Sequence, residues 1–266
     1  MPFRPAVKRR IDRPSLRLVT ELERAQALLE GAQRVVVLTG AGISTDSGIQ
    51  DFRGPNGLWT KNPEAEKQAT LSHYVSNPDV RKASWQSRIN NPIFRAEPNA
   101  GHHAVAALER TGKLIAVLTQ NVDGLHLAAG TSPELLVEVH GNVREVMCLS
   151  CDEHAPMERA LDRVRAGEED PACRSCGGML KSATISFGQS LVADDLDRAD
   201  AAARSCDLLI AVGTTLGVYP IAAVVPLAKQ SGARIIIINS HETEMDDIAD
   251  VVIRGSISEV LPALVP

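Results

Sequence analysis

Aromatic side chains are scarce in this chain: 4 Phe, 2 Trp and 2 Tyr make up 3% of 266 residues, so any core must be aliphatic. Long hydrophobic runs are missing as well. The longest, such as residues 235–238, are strand-sized, far short of the roughly 18 residues a membrane-spanning helix needs. The basic opening MPFRPAVKRRIDRP is followed by no hydrophobic segment, which argues against a secretory signal. No excess of positive charge exists: 28 Lys and Arg face 33 Asp and Glu, a net of −5, which argues against broad electrostatic capture of nucleic acid. Cysteines number 5, and four of them form two Cys-x-x-Cys pairs, Cys148/Cys151 and Cys173/Cys176. With no secretory signal, such pairs read as metal ligands before disulfides and place the chain in a reducing cytoplasm. Cys206 stands alone and reads as an inert small hydrophobe.

What is present is a repeated grammar. Leu18, Leu22, Ala25 and Leu29 recur at helical spacing before Gly31, and the apolar strand 35–38 follows. The pattern predicts helix 102–110 before strand 114–118, helix 193–204 before strand 208–212, and helix 221–230 before strand 235–238. A short strand at 251–253 and a terminal helix from about 256 complete it. Helices alternating with continuous apolar strands predict an α/β fold: a parallel sheet covered on both faces. Two stretches break the rhythm. Residues 54–100 carry five prolines and most of the aromatics, and residues 144–188 hold the cysteine pairs with little apolar periodicity. Both read as insertions that would wall the crevice at the carboxyl ends of the strands.

The first strand runs into Gly40-Ala-Gly-Ile-Ser44, the beginning of a dinucleotide fingerprint. Thr45 occupies the place of the third glycine, and Asp51-Phe-Arg-Gly54 follows closely. The strand at 114–118 ends in Thr119-Gln-Asn-Val-Asp123, whose carboxamides suit a ribose or a nicotinamide amide, although an Asn/Asp turn would use the same residues. His140, after another strand-like run, has the chemistry of a general base. Cys148, Cys151, Cys173 and Cys176, with residues 152–172 between the pairs, satisfy tetrahedral zinc with no position left open, so the metal would be structural and would hold together a segment too polar to bury its own core.

In this order, these motifs closely resemble the sirtuins, NAD-dependent protein-lysine deacylases. The matching residues are 40–49, Asp51-Phe-Arg-Gly54, 119–123 with Leu125-His126, His140-Gly141, the cysteine quartet, Phe187-Gly188 and Gly213-Thr-Thr-Leu216. The resemblance implies a Rossmann-like NAD-binding domain made of 15–53, 101–143 and 189–266. It also implies a smaller zinc-binding and helical domain made of 54–100 and 144–188, with 1–14 as an N-terminal arm. NAD and an acylated lysine would meet between the two domains.

The resemblance further implies that the acyl oxygen attacks the ribose of NAD, nicotinamide leaves, and His140 deprotonates a ribose hydroxyl that then attacks the acyl carbon. Asn121 and Asp123 would hold the ribose and the nicotinamide amide, with Gln120 and Val122 nearby. Phe52 would screen the reacting carbon, while Asp51 and Arg53 order their loop. Gly40, Ala41, Gly42, Ser44, Gly213, Thr214 and Thr215 would line the phosphates and ribose; Asn239 and Ser240 would take the adenosine ribose. Trp59 and Ile257 complete the cofactor contacts. Phe187, Gly188, Val218, Tyr219 and Pro220 would flank an extended acyl-lysine peptide by strand addition.

Some residues depart from the family pattern. Gln50 replaces a usual Pro, Lys181-Ser182-Ala183 replaces a Lys-Pro stretch, and Gln189 replaces an acid, which leaves acyl preference open. Tyr74 and Arg81 lie in the insertion where some relatives recognise acidic acyl groups, but do not read as such a pair. The alternative function is NAD-dependent mono-ADP-ribosylation of a protein, which shares the first cleavage. A non-enzymatic regulator fits less well with His140, Asn121 and Asp123 all in place, and a hydride-transfer enzyme fits less well without the third glycine.

Overall fold

The segment Val35–Thr39 (β1) is buried along its whole length, as an inner strand covered on both faces must be. Its side chains alternate: Val35 and Val37 enter one apolar cluster, Val36 and Leu38 the other. The structure is a computed structural model that describes residues 14–52, 54, 57–61 and 69–265; the side chains of 14–19 and 59 are outside that description. The remaining strands are β2 (Leu114–Thr119), β3 (Leu136–Glu138), β4 (Gly141–Cys148), β5 (His154–Pro156), β6 (Leu180–Thr184), β7 (Leu208–Val212), β8 (Arg234–Ile238) and β9 (Val251–Ile253). Six of them form one parallel sheet in the order β3-β2-β1-β7-β8-β9.

Helices Pro14–Gly31, Ala100–Arg110 and Ile257–Leu264 cover one face of the sheet, and Ala193–Ser205 and Val224–Gln230 cover the other. The expected helix 221–230 is split: Ile221–Ala223 is a 3-10 turn, and the α-helix starts at Val224. Strand order reverses between β1 and β7, so the loops after β2 and β7 diverge to opposite sides of β1. A crevice opens there, where open α/β sheets bind their ligands.

The second insertion corrects the sequence reading. β4, β5 and β6 form an antiparallel sheet, and Met157–Arg165 is a helix whose Met157, Ala160, Leu161 and Val164 are all buried. Together with Trp85, Val146, Cys148, Cys173 and Leu180 they make a third apolar cluster. The segment therefore has a core of its own, although Trp85 comes from the helix Pro78–Ile89 of the other insertion. The expected arm, residues 1–13, lies outside the described residues.

Candidate active site

The carboxyl ends of β1, β2, β7 and β8 open into one cavity of about 1340 Å³. His140 stands on its wall, just beyond β3. Its position is fixed on three sides: Val139 N–H donates to the Thr119 carbonyl (3.1 Å), Ile185 N–H donates to the His140 carbonyl (2.8 Å), and the His140 Nδ1 lies 2.9 Å from the Gln120 carbonyl. Gly141 follows with φ +74, and a Cβ there would collide with the Ala183 carbonyl. A carbonyl can only accept, so Nδ1 carries the proton and Nε2 keeps its lone pair. Burial lowers the imidazole pKa, against the pull of the Gln120 carbonyl. At neutral pH the ring is an uncharged base.

Beneath the cavity floor lies a buried polar network. Ser44 is fully buried; its hydroxyl donates to Asp123 Oδ2 (2.8 Å) and accepts from Asn121 Nδ2 (3.0 Å). His102 Nε2 is 3.3 Å from the same hydroxyl, while its Nδ1 accepts from the Asn99 N–H at 3.3 Å, so Nε2 is the protonated nitrogen. Asp123 Oδ1 accepts from the Leu125 N–H at 2.9 Å. A second chain runs from His126 Nε2 to Thr39 Oγ1 (2.9 Å), from Thr39 to Thr119 Oγ1 (2.8 Å), and from the Asn121 N–H to Thr119 Oγ1 (3.1 Å). Burial pushes His102 down to about 4 and His126 down to about 3, so both rings are neutral. Sequence reasoning missed Thr39, Thr119 and His102; nothing in their local spacing separates them from core residues.

The glycine loops do not cradle an open space. Gly42 N–H donates to the Gly213 carbonyl (2.8 Å), and a Cβ on Gly40 or Gly42 would come within 2.8 or 2.7 Å of Gly213. The glycines thus let the loops after β1 and β7 pack against each other, and Ala41–Ser47 continues as a 3-10 helix. Gln120 Nε2 bridges to Thr214 Oγ1 at 3.0 Å.

Of the residues singled out in the sequence, Gly40, Ala41, Gly42, Asp51, Phe52, Gln120, Asn121, Val122 and His140 line this one cavity. So do Gly213, Thr214, Thr215, Asn239, Ser240, Ile257, Phe187, Gly188, Val218, Tyr219 and Pro220. Ser44 and Asp123 lie beneath it instead. Arg53 and the Trp59 side chain lie outside the described residues. Phe187 already pairs with the first insertion: its N–H donates to the Ala69 carbonyl (3.1 Å) and its carbonyl accepts from the Leu71 N–H (3.0 Å). An added peptide strand must therefore bond elsewhere on this rim. Tyr74 and Arg81 do not line the cavity; Tyr74 OH donates to the Leu180 carbonyl (2.7 Å), and Arg81 pairs with Asp170 (2.8 Å).

The four thiols of Cys148, Cys151, Cys173 and Cys176 lie within 4.8 Å of one another, with Cys148–Cys176 at 3.5 Å and Cys151–Cys173 at 3.8 Å. Zinc–thiolate bonds of about 2.3 Å in a tetrahedron require sulfur separations of about 3.8 Å. The donor set fits zinc, and no cysteine reaches the cavity, so the metal would be structural.

An open parallel sheet with paired glycine loops at its switch point, a neutral histidine over the cavity and a four-cysteine module define a dinucleotide-dependent α/β protein with a zinc-bearing lobe. Residues 40–220 match the Sir2 family model. The chain is 48% identical to the NAD-dependent protein deacetylase 2 of Streptomyces coelicolor over 89% of its length and 98% of that protein's. It is 42% identical to the NAD-dependent protein deacetylase 1 of Bradyrhizobium diazoefficiens, over 90% of this chain and 93% of the other. A solved structure of Sir2 with a p53 peptide and NAD+ superimposes with a TM-score of 0.80 at 32% identity, covering 90% of this chain and 95% of that one. This chain belongs to the Sir2 family.

Proposed function

We propose that this protein removes acetyl or other acyl groups from protein lysine in an NAD-dependent reaction. The observation that carries this reading is His140, a neutral base with a free Nε2, facing the same cavity as Asn121 and the paired glycine loops. Bound NAD supplies an anomeric carbon that parts with nicotinamide and accepts the acyl oxygen. Asn121, held by Ser44 and Thr119, orients the ribose and amide. Asp123 has one carboxylate oxygen taken by Ser44 and the other by the Leu125 N–H, so its role is to set the position of Ser44 and Asn121. Phe52 covers the reacting centre against water, and His140 Nε2 takes the proton of a ribose hydroxyl. The loops at Gly40–Gly42 and Gly213–Thr215 hold the phosphates; Asn239 and Ser240 hold the distal ribose. Phe187–Gly188 and Val218–Pro220 flank the peptide.

The division into a cofactor domain (15–53, 101–143, 189–266) and a small domain (54–100, 144–188) belongs to the same reading, supported by the separate sheets and clusters. So does a cytoplasmic location, supported by the reduced cysteine quartet; among the described residues no helix is long and apolar enough to cross a membrane. Mass spectrometry of the products from NAD and an acetyl-lysine peptide tests the function. O-acetyl-ADP-ribose and free lysine are expected, whereas a peptide heavier by one ADP-ribosyl group would move the reading to the transferase.

A further inference from the structure

Arg88 lies in the last turn of the helix Pro78–Ile89 and lines the cavity together with Ser182 and Thr184 of β6. Its Nη1 donates to the Ser84 carbonyl (2.7 Å) and to the Ser84 hydroxyl, its Nη2 reaches Ser182 Oγ (3.4 Å), and its guanidinium lies 5.6 Å from the Trp85 ring centre. Behind it, Lys181 is buried, with its ammonium donating to the carbonyls of Ser182 and Thr184. Among the described residues no carboxylate pairs with either cation. Asp170 and Glu169, the acids that face this helix, are taken by Arg81 (2.8 Å) and Lys82 (2.7 Å).

A helix C-terminus favours one cation, and that alone could hold Arg88. It does not account for a second, buried cation beside the first. Burial and the Arg88 charge push the Lys181 ammonium down to about 8, so the two repel across a poorly hydrated space. Such a pair is costly unless an anion joins it. Hydroxyl donors are at hand: Ser182 Oγ and Thr184 Oγ1 lie 2.8 Å apart, and with one hydrogen used between them the other remains for a ligand.

We infer that Arg88, Ser182 and Thr184, backed by Lys181, form a carboxylate-binding subsite at the inner end of this cavity, and that the protein takes acyl groups ending in a carboxylate. Arg88 and a hydroxyl make the contact; Lys181 supplies positive potential. This assignment rests on the deacylase reading for the nature of the chain that carries the carboxylate. It also relocates acid recognition from Tyr74 and Arg81, whose polar atoms are committed within the fold.

The test is the binding of one lysine peptide in two forms, succinylated and butyrylated, which have equal chain length but a methyl in place of the carboxylate. Charge-assisted bonds in a partly buried site predict roughly tenfold or greater preference for the succinyl form. Arg88→Met keeps the aliphatic stem over Trp85 and should bring the ratio close to one, while Arg88→Lys should retain part of it. Equal or tighter binding of the butyryl form by the wild-type protein would overturn the inference, with no variant needed. So would an unchanged ratio in a folded Arg88→Met protein. Nicotinamide release, measured on the same samples, separates the two readings. Turnover of the butyryl peptide without succinyl preference sinks this inference alone; succinyl preference with no NAD consumption sinks the deacylase reading and leaves the subsite.

Discussion

The Nδ1–H of His140 is bonded to the Gln120 carbonyl at 2.9 Å, and this one contact decides what the ring can do. It fixes the tautomer and leaves Nε2 as the only basic nitrogen. Because the carbonyl belongs to the loop that also carries Asn121 and Asp123, the base and the ribose-binding groups move as a unit.

His140→Ala should keep the fold and much NAD affinity, and lose roughly 100- to 10,000-fold in deacylation, the usual range for removing a general base. Steady-state turnover beside a melting curve checks this. Asn121→Ala should instead suppress nicotinamide release itself.

Burial lowers the pKa of His140 below the ordinary histidine value of about 6.5. The base form therefore persists to lower pH than an exposed histidine would allow. The acid limb of kcat/KM should fall below pH 6.5, and a limb at or above 7 would contradict the environment described.

Ser44→Ala removes the shared partner of Asp123, Asn121 and His102. Leaving such buried groups unpaired costs about 1–3 kcal/mol of stability. Thermal melting should register that loss, and nicotinamide release should drop more than tenfold, since Asn121 loses its anchor.

His126 and His102 are neutral in the folded protein, with pKa values of about 3 and about 4, against about 6.5 unfolded. Below pH 6.5 the unfolded chain binds protons that the folded one refuses, so stability falls as pH drops from 6.5 toward 4. His126→Gln keeps a donor for Thr39 without the titration and should make that fall shallower. Denaturant midpoints across the range measure it.

Cys173→Ser should give aggregated or poorly folded protein, because one lost ligand opens the clip between β4 and β6. Metal content and solubility report the result. The small lobe's own apolar cluster means that its helix Met157–Arg165 should retain partial protection from hydrogen exchange even then.

The parallel sheet was legible because its strands are continuous apolar runs punctuated by glycine: Val35–Thr39 and Leu208–Val212 leave no other reading. The cavity residues were legible through their motifs, since those motifs sit at strand ends. Helix Met157–Arg165 escaped notice because its four buried residues are spread through nine with charged neighbours between, too short a window for a period to stand out. Arg88 escaped for a different reason. A lone arginine near a helix end reads as a solvated charge, and only the fold shows that β6 brings Lys181 beside it with no acid between.

The most direct test of the whole account is the stoichiometry of NAD consumption. The protein, NAD and an acyl-lysine peptide are mixed, and nicotinamide, O-acyl-ADP-ribose and deacylated peptide are counted together. The account predicts one nicotinamide and one O-acyl-ADP-ribose for each acyl group removed, with added nicotinamide inhibiting. Deacylation without NAD, or the appearance of NADH, would contradict it.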